Sequence, residues 1–138
     1  MPRKPSGVSI RTFRAGEVIF REGDPPRDEA YMVYLGRVEV RKQVGGEPRV
    51  LRVMVQGELL GELGLFGKSP RSATAVAIEP VTLVVIPAKK LDQLVRTNPD
   101  LAVAIIRDLS LKLLATNELL VAEGRRGQAR SAGETVTS

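Results

Sequence analysis

The chain has 138 residues, 43% hydrophobic and 27% charged, with a formal net charge of +5, the size and composition of a single soluble globular domain. It contains no cysteine and no histidine, which excludes disulfides, thiolate metal sites, Ser-His-Asp chemistry and histidine-held zinc. The excess charge sits at the two ends: Arg3, Lys4, Arg11 and Arg14 precede any acidic residue, Arg125, Arg126 and Arg130 outnumber Glu123 and Glu134, and the body from Ala15 to Leu120 is formally neutral, with no clustered basic face for a nucleic acid.

Residues 1–12 begin basic without an apolar stretch, so they are not a signal peptide and are expected to be flexible or a short helix outside the domain. Val18-Ile19-Phe20 reads as a short strand closed by the turn cluster Gly23-Asp24-Pro25-Pro26. From Tyr31 to Val40 apolar residues alternate, and Gly36 within that pattern suggests a bulge or tight corner. Gly45-Gly46 joins this segment in a hairpin to a strand over Arg49 to Val55, where Leu51, Val53 and Val55 alternate with Arg52 and Met54. Ala73 to Ile78 and Val81 to Ile86 give two further strands around Glu79-Pro80. Many short strands with Gly and Pro turns mean a sandwich, barrel or jelly roll.

The period then changes. Pro87 opens a short helix through Val95, and Asn98-Pro99-Asp100 starts a long one, with Asn98 as cap, Pro99 in the first turn and Asp100 complementing the helix dipole. This helix is expected to run to about Val121 and end before Gly124, so that the domain covers residues 13–121 and residues 122–138 form a disordered tail. Leu101, Ile105 and Leu109 make one stripe; Ile106, Leu113 and Leu120 make a second seam, widened by Leu111 and Leu114. A helix docked only on its own domain needs one stripe, so the second predicts a helix-to-helix homodimer. No segment is apolar enough to span a bilayer, which predicts a cytoplasmic protein.

The chemistry lies in Gly57 to Ala75, which contains Gly61-Glu62-Leu63-Gly64-Leu65-Phe66 and, later, Arg71-Ser72-Ala73. It reads as a short helical turn from Glu62 to Phe66, flanked by glycines and followed by a loop delivering an arginine. Glycines let the backbone approach a ligand, and the amides opening a helical turn favour an anion. Arg71 adds a permanent charge with paired donors suited to phosphate oxygens, and Ser72 a hydroxyl donor. Glu62, of opposite sign, suits a hydroxyl such as a ribose 2′-OH.

This stretch resembles the phosphate-binding cassette of cyclic-nucleotide-binding domains, shared by catabolite-activator-type regulators and the regulatory subunit of protein kinase A. The likeness extends over roughly Phe13 to Leu120. It implies a mainly β fold with C-terminal α structure: a jelly-roll (double-stranded β-helix) barrel, then a short helix and a long C-helix. It also implies that Arg71 binds the cyclic phosphate with help from Ser72, and that Glu62 binds the ribose. The ligand-binding set is Gly61, Glu62, Leu63, Gly64, Arg71, Ser72 and Ala73, with Leu51 lining the base pocket by register and Thr116 reaching the base from the C-helix; Asn117 departs from the catabolite-activator pattern. The ligand implied is cAMP, with cGMP open because Ser72 suits a syn guanine.

Catabolite activators continue into a helix-turn-helix domain; about eighteen residues follow Leu120 here, so direct DNA binding is not expected. The expectation is a sensor without catalysis, cofactor or metal, acting on an effector protein through its C-helix. The alternative is a jelly-roll interaction module that has lost nucleotide binding.

Overall fold

The computed structural model describes residues 5–62, 65 and 69–131, of which 116–131 are described for their backbone alone. The chain divides into two units, residues 1–104 and 105–138.

The first unit holds the strands β1 (Ser9–Phe13), β2 (Val18–Phe20), β3 (Glu29–Leu35), β4 (Val38–Val44), β5 (Glu47–Met54), β6 (Leu59–Leu60), β7 (Thr74–Ala77) and β8 (Val81–Pro87). They form two antiparallel four-stranded sheets, β1-β8-β3-β6 and β2-β7-β4-β5. This is the jelly-roll arrangement the sequence implies. Tyr31, Val33, Leu60, Leu83 and Val85 of the first sheet meet Val38, Met54, Ala75 and Ala77 of the second in one buried cluster. The period-2 alternation produces this core: Val81, Leu83 and Val85 point into it from β8, while Val84 and Ile86 are buried on the opposite face. Complete burial of a side chain such as Leu83 stabilises the fold by roughly 1.5–3 kcal/mol.

Gly36 makes the corner between β3 and β4. A Cβ there would lie 2.3 Å from the Pro80 carbonyl oxygen, so nothing larger fits. The β4–β5 hairpin closes through Gly45-Gly46, with Val44 opposite Glu47.

Three local expectations are corrected. Residues 9–12 belong to the barrel: β1 pairs with β8 from Ser9↔Val85 to Phe13↔Val81. Its residues are largely exposed, so backbone pairing rather than an apolar pattern makes it a strand. Second, the short helix starts as a 3-10 turn at Ala88–Lys90 and continues as α1 (Leu91–Thr97), followed by α2 (Pro99–Ser131). The long helix therefore passes Val121 and Gly124. Glycine costs about 1 kcal/mol relative to alanine inside a helix, and the surrounding Ala, Glu, Gln and Arg residues are good helix formers, so no stop results. Residues 122–131 of the expected tail are helical; residues 132–138 lie outside the described ones.

Third, Asn98 precedes α2 as expected, but its side chain is used elsewhere. Asn98 Oδ1 accepts from the Ser6 amide at 2.8 Å, and Nδ2 donates to the carbonyls of Ser6 at 2.9 Å and Leu94 at 3.1 Å. A competing backbone partner has taken the cap.

In the second unit, α2 carries an Asp108–Lys112 ion pair of 2.8 Å along one face. Ile106, Leu113 and Leu114 are more than half exposed, at 64%, 63% and 54%. The second apolar seam is thus on the surface of this chain; Leu120 lies outside the residues whose side chains are described. No helix among the described residues is long and apolar enough to cross a membrane.

Candidate functional site

Arg71 stands in the loop before β7 and is positioned by its own backbone. Its amide donates to the Asp24 carbonyl and its carbonyl accepts from the Gly23 amide, both at 2.8 Å, so the glycine-proline turn after β2 grips the arginine from two sides. The side chain runs inward and is only 7% exposed. Nη1 donates to the Gly61 carbonyl and Nη2 to the Glu29 carbonyl, each at 3.3 Å, longer than an ordinary N–H···O bond. Among the described residues no carboxylate pairs with it. Its remaining contacts are aromatic: Cζ lies 4.6 Å from the ring centre of Phe20 and 5.7 Å from that of Tyr31.

Gly61 is required at this spot twice over. Its φ is +71°, and an added Cβ would sit 2.5 Å from Arg71 Nη1. The Glu62 side chain follows immediately and is half-buried, and Glu62 O accepts from the Leu65 amide at 3.0 Å, the start of the expected helical turn. Gly61, Glu62, Arg71, Ser72 and Ala73 are thereby gathered in one place, with Ser72 exposed and Ala73 buried. Leu63 and Gly64 lie outside the described residues, as does the side chain of Thr116. Leu51 falls on β5, the edge of the second sheet, where Val40↔Arg52 and Arg41↔Val50 leave it as the extra residue of a bulge. It is 55% exposed, and the bulge breaks the strict alternation from which its role was inferred.

Three residues went unnoticed in the sequence: Phe20, Glu29 and Tyr31. The Phe20 and Tyr31 rings stack with centres 6.2 Å apart. Tyr31 OH donates to Glu29 Oε1 at 2.6 Å, and Arg11 Nη1 donates to the same oxygen at 2.9 Å. Burial, reinforced by the hydrogen bond and charge of Glu29, raises the Tyr31 phenol above its usual 10.0, so it stays a neutral donor. For Arg11, burial is the largest single influence and pulls downward, but the charges and hydrogen bonds of Glu29 and Tyr31 together outweigh it and the guanidinium is raised. The scarcity of aromatics (three Phe and two Tyr in the chain) was the available signal.

A buried cation that has no carboxylate partner among the described residues, beside a turn opened by glycine, has the chemistry to receive an anion. Residues 10–98 match the family model of the cyclic nucleotide-binding domain. The chain belongs to the cyclic nucleotide-binding domain family. Among proteins similar to it is the CRP-like cAMP-activated global transcriptional regulator of Mycobacterium tuberculosis, 29% identical over 125 residues that cover 85% of this chain and 55% of that one. The catabolite activator protein of Thermus thermophilus has a similar fold, with a TM-score of 0.73 and 30% identity over 85% of this chain and 55% of its own. The regulatory domain of Toxoplasma gondii PKA, solved with cAMP, gives a TM-score of 0.58 and 28% identity over 63% of this chain and 33% of its own. This cyclic nucleotide-binding domain chain spans about half the length of the curated relatives it matches. Both branches named by the cassette resemblance are therefore among its neighbours.

Proposed function

We propose that this chain is a cyclic-nucleotide sensor with cAMP as its ligand, in which Arg71 binds the cyclic phosphate and Glu62 the ribose 2′-OH, and which performs no catalysis itself. The observation that carries the reading is the Arg71 guanidinium, 7% exposed and without a carboxylate partner among the described residues. Such a cation is costly to bury unless an anion completes the site. Glu62 beside Gly61 is placed on the same turn, where a carboxylate suits a sugar hydroxyl better than a phosphate. The choice of cAMP draws on the mycobacterial regulator, described as cAMP-activated, and on the Toxoplasma domain solved with cAMP.

Output is proposed to pass through α2, whose exposed Ile106, Leu113 and Leu114 suit a helix-to-helix homodimer, to an effector protein. Ligand would act by favouring a conformation with which it makes additional contacts.

The test is calorimetric titration with cAMP and with cGMP, alongside Arg71→Ala. Loss of a charged phosphate contact is expected to weaken binding by about 1.5–3 kcal/mol, roughly ten- to hundredfold. Failure of the wild-type chain to bind either nucleotide overturns the reading and favours a jelly-roll module that engages a protein partner.

A further inference from the structure

We propose that Phe20 and Tyr31 are positioning residues for Arg71, forming an aromatic seat that Glu29 and Arg11 hold in place. The inference rests on the sensor reading and names the residues that make its phosphate-binding group competent.

The guanidinium offers two kinds of contact. Its planar faces accept aromatic rings, and its edge presents the N–H donors that recognise phosphate. A carboxylate would fix Arg71 by occupying that edge, in direct competition with the ligand. Rings fix it without that competition. Phe20 comes from β2 of one sheet and Tyr31 from β3 of the other, so the seat is assembled only when the two sheets close on each other. The two carbonyl contacts at 3.3 Å are too long to immobilise so long a side chain by themselves.

Glu29 carries the second half of the argument. Its backbone oxygen touches Arg71, yet its carboxylate is directed to Tyr31 OH and to Arg11 Nη1. The acid that would otherwise quench Arg71 is thus satisfied by a different arginine, and the Tyr31 ring is held by its hydroxyl, which donates to Glu29 Oε1 and accepts from Arg11 Nη1 at 3.2 Å. Arg11 also lies 5.7 Å from the Tyr31 ring centre, the same separation as Arg71. Arg11 therefore keeps one buried carboxylate neutralised on behalf of a ligand it does not touch.

The test uses the full chain with Tyr31→Leu, Tyr31→Phe, Phe20→Leu and Arg11→Met. One readout is cAMP affinity by calorimetry; the other is the Arg71 Nε–Hε NMR resonance in the ligand-free protein, assigned with Arg71→Lys. Removing either ring is expected to weaken cAMP binding about tenfold and to broaden or abolish the protected Arg71 resonance. Tyr31→Phe keeps the ring but loses the hydroxyl bond to Glu29 Oε1, so both signals are expected to fall between those of the unmodified chain and those of Tyr31→Leu. Arg11→Met frees the Glu29 carboxylate and shifts the Arg71 resonance while lowering affinity. An unchanged resonance in Tyr31→Leu and Phe20→Leu overturns the proposal, as does wild-type affinity in both. If the unmodified chain binds no cyclic nucleotide, the sensor reading fails, and the ligand-free resonance still decides whether the rings seat Arg71.

Discussion

Gly61→Ala is the substitution on which the site geometry makes its most discriminating statement. The glycine adopts φ +71°, a conformation that costs an L-residue roughly 1–2 kcal/mol. The new methyl carbon would also lie 2.5 Å from Arg71 Nη1, about an ångström inside ordinary contact. The atom it meets is the tip of a long side chain, so the fold accommodates the methyl by displacing the guanidinium rather than by unfolding. Stability should therefore fall by the backbone penalty alone, while cyclic-nucleotide affinity falls by up to ~1.5–3 kcal/mol, the worth of a charged hydrogen bond. Gly57→Ala supplies the control: its φ is +84°, with nothing within 4 Å of the added carbon. Thermal melting without ligand should rank the two variants alike, and calorimetry with cAMP should separate them roughly ten- to hundredfold. Equal affinity in the two variants would refute the claim that the Gly61 backbone sets the position of Arg71.

Placing a charge on the exposed seam with Ile106→Glu and Leu113→Glu together should convert a dimer to a monomer of 15.0 kDa, read by light scattering. Because the folded-state pKa of Tyr31 is raised above 10.0, its contribution to stability is full below pH 10 and is lost as pH climbs through the folded value. Denaturant melts of Tyr31→Phe should accordingly lose less stability than wild type between neutral pH and pH values above 10. Asn98→Ala removes two hydrogen bonds to Ser6, which should reduce stability by about 1–2 kcal/mol and accelerate amide exchange at Ser6.

What the sequence made legible follows a physical division. Period-2 apolar patterning located β2, β3, β4, β7 and β8, because each buries at least part of one face; β5 alternates as well, yet only Met54 of it is buried. The patterning missed β1, whose residues are held by pairing to β8 and bury little. Gly61, Glu62 and Arg71 were singled out because their chemistry is local, a carboxylate and a guanidinium around a glycine turn. The seat of Arg71 was invisible since Phe20 and Tyr31 meet only through long-range packing of different sheets. The bulge in β5 that makes Leu51 an extra residue marks the same limit from the other side, since no feature of Arg49 to Val55 announces it. The capping reading of Asn98 was chemically sound, but a backbone segment 92 positions away competed for the same amide.

That pairing of Asn98 with Ser6 brings together, within the first unit, the strand-leading end of the chain and the start of α2. With β1 running antiparallel beside β8, the barrel begins and finishes at neighbouring points. Its connectivity is thus nearly a closed loop. A short linker from the Asn98 region back to Ser6, with new ends opened in the exposed Gly45-Gly46 hairpin, would yield a circular permutant of the barrel that keeps both sheets and the Arg71 loop intact.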